Sequence, residues 1–216
     1  MRASAEPLSR FINLLILDTT NLMDTMVSDL AQIHGMEQAM ADTEGWNAQP
    51  PQDRHDRESA LLTFQLQTPR DVHLAGSALE VLSVFTGEIK EPFLSPDIAE
   101  RIAAMLNHIL DALVCPACQN LAVRDPEKYQ WDPKATLGTV IEVYLNLSAE
   151  GQFVRAVAAD RENHRKELFE RAYGIAKARH IRSDAELEAW LVFVSRVEEK
   201  RVVLELEAEP HGISGE

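Results

Sequence analysis

The chain has 216 residues, 45% of them hydrophobic, and its 35 acidic against 21 basic side chains leave a formal charge of −14. That is enough apolar material for one large domain or two small ones. The acidity excludes generic adhesion to nucleic acid or to an anionic membrane, both of which would repel it, and leaves basic protein partners open. Two cysteines, Cys115 and Cys118, cannot make a disulfide framework, and no secretory signal opens the chain, so a cytoplasmic and nuclear setting is expected. The densest apolar run, FINLLIL over Phe11–Leu17, falls far short of the roughly 20 residues that span a bilayer.

From Pro7 to Met40 the apolar positions Phe11, Leu14, Leu15, Leu22, Met26, Leu30, Ile33 and Met40 recur near a helical period, predicting one long packing helix or two nearly continuous ones. A loop is expected over Asp42–Pro51, with Gly45, Pro50 and Pro51 as breakers and Trp46 as an anchor. A charged helix follows over Asp53–Leu66, and Pro69 is expected to interrupt or kink it before a second helix reaches Val84 or Phe85.

Ser95 then offers an N-cap oxygen, Pro96 suits the first helical position, and Asp97 complements the dipole of a helix striped by Ile98, Ile102, Met105, Leu106, Ile109, Leu110 and Leu113. Pro116 ends it. Residues 117–132 lack helical period, and Pro126, Tyr129, Trp131 and Pro133 predict an ordered, anchored connector.

Asp132 and Pro133 start a helix with Leu137, Val140, Ile141, Tyr144 and Leu145 on one face; Phe153, Val154 and Val157 mark a shorter one, and Phe169, Ala172, Tyr173 and Ala176 another. Ser183 and Glu186 form a capping box for the last long helix, with Leu187, Trp190, Leu191, Val194 and Val197 inward. The tail over 208–216 is expected to be disordered. With about seven or eight helices and no strand signal, the fold class is all-α. An armadillo-like stack with degenerate repeats and a compact bundle both remain open at this point.

Chemical motifs are few. The Cys115–Cys118 CxxC has the spacing of half a zinc site or of a redox dithiol, but no second CxxC accompanies it, and two small side chains at a helix end account for it as well. The seven histidines are scattered, with no HExxH, and no Walker loop, dinucleotide glycine motif or serine elbow is present. Hence no catalytic, cofactor-binding or metal residue is assigned. Tyr129 and Trp131 are the candidate residues, either as a partner-contact edge or as anchors that pin the connector.

Read in order, several stretches resemble the C-terminal half of the core of the ubiquitin conjugation factor E4 family, the ubiquitin chain-elongation factors. They are FINLLILDTTNLMD, IHGMEQAM with the Trp46 loop, FTGEIKEPFLSPDIAERIAAMLNHILDALV, NLAVRDPEKYQWDPK, VIEVYLNLS, FVRAVAAD and KELFERA. The likeness covers about residues 11 to 180, and Asp125–Tyr129 (DPEKY) followed by Trp131 and Pro133 is its most specific part. It implies an elongated, armadillo-like helical solenoid over 1–207, and a role in ubiquitin chain elongation and proteasomal degradation. The partners it implies are an AAA-type segregase ATPase and ubiquitylated substrates.

In that family a C-terminal U-box recruits the ubiquitin-conjugating enzyme. No U-box is expected in these 216 residues, so this chain alone is expected to be inactive as a ligase and not to bind that enzyme. Residues 160–164 (DRENH) and Pro69 depart from the family's pattern. Two rival readings stand beside this one: a non-catalytic adaptor or decoy solenoid that binds the segregase or ubiquitylation partners, and a thiol or zinc protein using Cys115 and Cys118.

Overall fold

The structure is a computed structural model that describes residues 5–160 and 166–208. Among the described residues there are eight α-helices, three short 3-10 turns and no strand, so the chain is all-α. Helix α1 (Ala5–Ala41) is unbroken, and α2 (Thr43–Asn47) and α3 (Pro51–Glu88) follow it. After a 3-10 turn over Glu91–Leu94 come α4 (Pro96–Val114) and a connector holding 3-10 turns Pro116–Leu121 and Pro126–Tyr129. Helices α5 (Pro133–Leu147), α6 (Gly151–Ala159), α7 (Lys166–Ala178) and α8 (Asp184–Ala208) complete the chain. None of the described helices is long and apolar enough to cross a membrane.

Packing follows two rows. Helix α1 lies against α3, and α3 against α5; α4 lies against α6, and α6 against α8. The rows meet where α1 touches α4, α4 touches α5 and α5 touches α8, while α7 wedges against α4 and α8. Between them runs one continuous apolar core. Helix α4 is buried on more than one side, through Ile98, Ala99, Ile102, Ala103, Met105, Leu106, Ile109 and Leu110, because helices of both rows cover it.

The buried stripe of α1 is Ile12, Ile16, Met23, Met26, Leu30 and Ile33, which corrects the expected stripe at its N-terminal end: Phe11 and Leu14 are about half exposed, at 47% and 50%. FINLLIL is apolar on every side of the helix, so hydropathy alone does not set its phase. Contact with α3 and α4 sets it, and Phe11 lies instead beside Phe85 of α3, ring centroids 5.8 Å apart. Buried Thr19 is satisfied locally, its Oγ1 donating to the Leu15 carbonyl at 2.7 Å.

Helix α2 replaces part of the expected loop. Asp42 caps it by accepting from the Gly45 amide at 3.1 Å, and Trp46 within it is buried. Pro69 does not break the helix over 51–88 as expected. A proline inside a helix removes one backbone bond and costs about 3 kcal/mol, but on either side of it Leu61, Thr68, Val72, Ala75, Leu79 and Leu82 are buried as α3 packs on α1 and α5. That packing holds the helix through the defect.

Ser95 is the N-cap of α4, with extended backbone angles, yet its side chain makes no capping bond. Pro96 and Asp97 take the predicted first-turn positions.

Around α5, α6, α7 and α8 the core is aromatic. Tyr144 lies 5.4 Å from Trp190, 5.7 Å from both Phe169 and Phe193, and 6.0 Å from Phe153. This cluster corrects the phase expected for α8. Phe193 is buried, whereas Leu191 is exposed, because the aromatic residue fills the slot between Trp190 and Val197. Of the expected tail, Ala208 closes α8, and 209–216 lie outside the described residues, as do 161–164 of the DRENH stretch.

Candidate functional site

The connector between α4 and α5 carries both candidate residues, and its own sequence explains its shape. Pro116 and Pro126 each open a 3-10 turn, having no amide to leave unpaired at that position. Gln130 takes left-handed angles (φ 54°), which turns the chain so that the Trp131 amide can donate to the Pro126 carbonyl at 2.9 Å. Asp132 then caps α5, accepting from the Lys134 and Ala135 amides at 2.9 and 3.1 Å.

Tyr129 and Trp131 both point into the molecule, at 1% and 5% exposure, and belong to the continuous core. Burial pushes the Tyr129 hydroxyl up from its ordinary value, and the nearby Glu37 carboxylate adds to this, while a hydrogen bond with Gln65 of α3 works the other way. Lys128 lies over the Tyr129 ring, 5.9 Å from its centroid. The residues the connector turns outward are others, chiefly Pro116, Ala117, Asp125, Pro126, Glu127 and Lys128.

Three side-chain clamps that the sequence did not signal fix this segment and its surroundings. Glu37, at the C-terminal end of α1, is buried; its carboxylate accepts from the Arg124 amide at 2.9 Å, and its carbonyl accepts from the Arg124 guanidinium at 2.9 Å. His34 Nδ1 meets the Ala122 carbonyl at 2.8 Å, so two residues of α1 hold the connector. Below it, the Tyr144 hydroxyl donates to Asn107 Oδ1 at 2.7 Å, and Asn107 Nδ2 donates to Asp160 at 3.0 Å, linking α5, α4 and the end of α6. Partners this far apart in sequence leave no local pattern to find.

Along the middle of α5, Arg182 donates to the Gly138 carbonyl at 3.1 Å and pairs with Glu142 at 2.9 Å and, beyond the helix, with Glu186 at 3.0 Å. The approach is close: a Cβ on Gly138 would sit 3.2 Å from Ile181 Cγ2. The capping box forms as predicted, with Glu186 accepting from the Ser183 amide at 2.9 Å and from its hydroxyl at 2.6 Å. These Ser183 bonds, and then the Arg182 charge, hold the Glu186 carboxyl below its ordinary value.

Two grooves flank the start of α5. One, of about 220 Å³, lies against α3 between His73, Glu80, Gln130 and Asp132; the other, of about 370 Å³, lies towards Lys134, Arg179, His180 and Arg182. Among the described residues, no group of three or more His, Cys, Asp or Glu side chains is placed to hold a metal ion. His108, on α4, meets Asp24 of α1 at 2.7 Å. Cys115 and Cys118 are unbridged and partly exposed. The arrangement built by these residues is a set of rigid joints between helices, with a polar rim along the connector.

The model of the ubiquitin elongating factor core matches residues 2–198. The chain is 36% identical over 203 residues to ubiquitin conjugation factor E4 of Schizosaccharomyces pombe, a match covering 94% of this chain and 20% of that protein. It is 32% identical over 195 residues to the E4 ubiquitin-protein ligase UFD2 of Saccharomyces cerevisiae, covering 89% of this chain and 20% of that protein. A probable ubiquitin conjugation factor E4 of Arabidopsis thaliana is 33% identical over 163 residues, covering 74% of this chain and 16% of that protein. The chain thus spans about a fifth of the length of these relatives. With nearly every described helix inside the matched range, this chain belongs to the ubiquitin elongating factor core family.

Proposed function

We propose that this chain serves as a helical scaffold arm of a ubiquitin chain-elongation factor, acting in protein ubiquitination and ubiquitin-dependent degradation. In this reading residues 1–207 correspond to the C-terminal half of the family's core and stack as an armadillo-like solenoid. The observation that carries the reading is the family match over residues 2–198, which reaches into all eight helices. The two-row packing and the clamped connector support it, since a row of helices joined by fixed turns transmits position rather than bending at each joint. Its partners would be an AAA-type segregase ATPase and substrates already carrying ubiquitin, while recruitment of the conjugating enzyme would fall to a U-box. Tyr129 and Trp131 act in this reading as anchors of the connector, and its exposed rim as the surface open to partners.

The test is reconstitution. The 216-residue chain is added to an activating enzyme, a conjugating enzyme and a mono-ubiquitylated substrate, and the products are resolved by size. The expected result is no chain extension by this chain alone, with retention of the segregase or the ubiquitylated substrate on immobilised chain. Robust extension by these residues would overturn the scaffold reading, as would failure to retain either partner.

A further inference from the structure

Cys115 and Cys118 sit on a turn with the dimensions of a disulfide. Helix α4 ends at Val114, and Cys115 leaves it with extended angles (φ −66°, ψ 165°). The Cys118 amide then donates to the Cys115 carbonyl at 3.0 Å, closing a four-residue turn with Pro116 in its second position. Such a turn holds the Cα atoms of its first and fourth residues within about 7 Å. Disulfides bridge Cα atoms about 4.4–6.8 Å apart. Cys115 is the N-cap of the 3-10 turn Pro116–Leu121 and Cys118 its third residue, so the two cysteines stand at the first and fourth positions of one turn. Both cysteines are partly exposed, and of the residues between them Ala117 is exposed and Pro116 is too. Burial, and after it the neighbouring Cys115, push the Cys118 thiol up.

We propose that Cys115 and Cys118 form a reversible disulfide within this turn, a modification site that takes glutathione disulfide as its oxidant. One cysteine thiolate attacks a sulfur of glutathione disulfide; the S–S bond breaks and a glutathione thiolate leaves. The second cysteine thiolate attacks the protein sulfur of the mixed disulfide, the intra-turn bond forms, and the second glutathione leaves. Two electrons pass to the oxidant, which becomes two glutathione molecules, and the two cysteine protons go to solvent or to the departing thiolates. Transient, sensing disulfides of this kind are the sort found where the setting is otherwise reducing. Closing the bond would fix the exit of the connector from α4, upstream of the residues that dock on α1 and α3.

The full chain is equilibrated with graded ratios of reduced to oxidised glutathione, quenched with acid, alkylated and weighed intact. The expected product is a monomer two hydrogens lighter that takes up no alkylating reagent. Cys115→Ser and Cys118→Ser are each expected to stop at the glutathione mixed disulfide. A parallel equilibration in concentrated guanidinium chloride keeps the test decisive should either variant fail to fold. Loss of the turn is expected to lower the effective concentration of the second thiol, and with it the closure constant, by about tenfold or more. Wild-type chain that halts at mixed disulfides, crosslinks between molecules, or closes the bond no more readily folded than unfolded would overturn the proposal.

Discussion

Replacing Tyr144 by Phe tests whether the buried polar link between α5 and α4 stabilises the fold. The hydroxyl is fully buried and donates to Asn107 Oδ1 at 2.7 Å, while Asn107 itself is only 1% exposed. Tyr144→Phe keeps the ring in the aromatic cluster but leaves a buried acceptor without its donor, which costs about 1–3 kcal/mol. For a chain of this size a loss of 2 kcal/mol corresponds to a fall in Tm of about 4–8 °C.

Asn107→Leu removes the other partner and strands the hydroxyl. The double variant leaves neither group behind, so it should be less destabilised than the sum of the two by about 1 kcal/mol. Urea unfolding followed by tryptophan fluorescence reads this directly, since Trp190 packs edge-on to Tyr144. Single-variant costs that add within about 0.3 kcal/mol would refute the reasoning.

A pH effect accompanies it. Burial, and then the Asp160 carboxylate, raise the Tyr144 hydroxyl well above its ordinary value of 10.0. Above that pH the unfolded chain releases a proton that the folded chain keeps, so stability is fully present below it and declines as pH rises. Tyr144→Phe should remove that part of the alkaline decline.

Asp132→Ala removes the oxygen that accepts from two amides at the start of α5, and should cost about 0.5–2 kcal/mol in urea unfolding, with faster amide exchange at Lys134 and Ala135. Pro69→Ala restores a backbone donor within α3 and should raise stability by about 1–3 kcal/mol; an unchanged or lower Tm would mean that the packing of α3 requires the local geometry proline imposes. Glu186 is held below its ordinary value of 4.5, so it contributes stability above that pH that is lost as the pH falls through its folded value. Glu186→Gln should therefore flatten the acid limb of a stability–pH curve below about 4.5, and an unaltered limb would show that the capping box is not linked to folding.

Much of the helix inventory was legible in sequence because its signals are local. Pro96 and Asp97 in the first turn of α4, Asp132 before Pro133 and the Ser183–Glu186 box each act within one turn of helix, and each took its predicted place. The DPEKY stretch with Trp131 likewise marked the connector before its geometry was known. Where the local signal was ambiguous, tertiary contact decided. FINLLIL offered apolar residues on every side, and α3 and α4 selected Ile12 and Ile16; α8 offered Leu191 or Phe193, and the cluster around Tyr144 selected Phe193. Pro69 opposed a helix that packing on α1 and α5 nonetheless keeps continuous past it.

The clamps of Glu37 on Arg124, Asn107 on Tyr144 and Arg182 on Gly138 lie beyond any local rule, because each joins residues dozens of positions apart. By itself, then, the sequence determined most of the helical segments, though not α2 or the continuity of α3 through Pro69, and which family they resemble, since backbone capping and apolar periodicity act over a few residues. Only the tertiary structure decided which face each helix buries and where its polar groups find partners, since desolvation depends on neighbours that local sequence does not name.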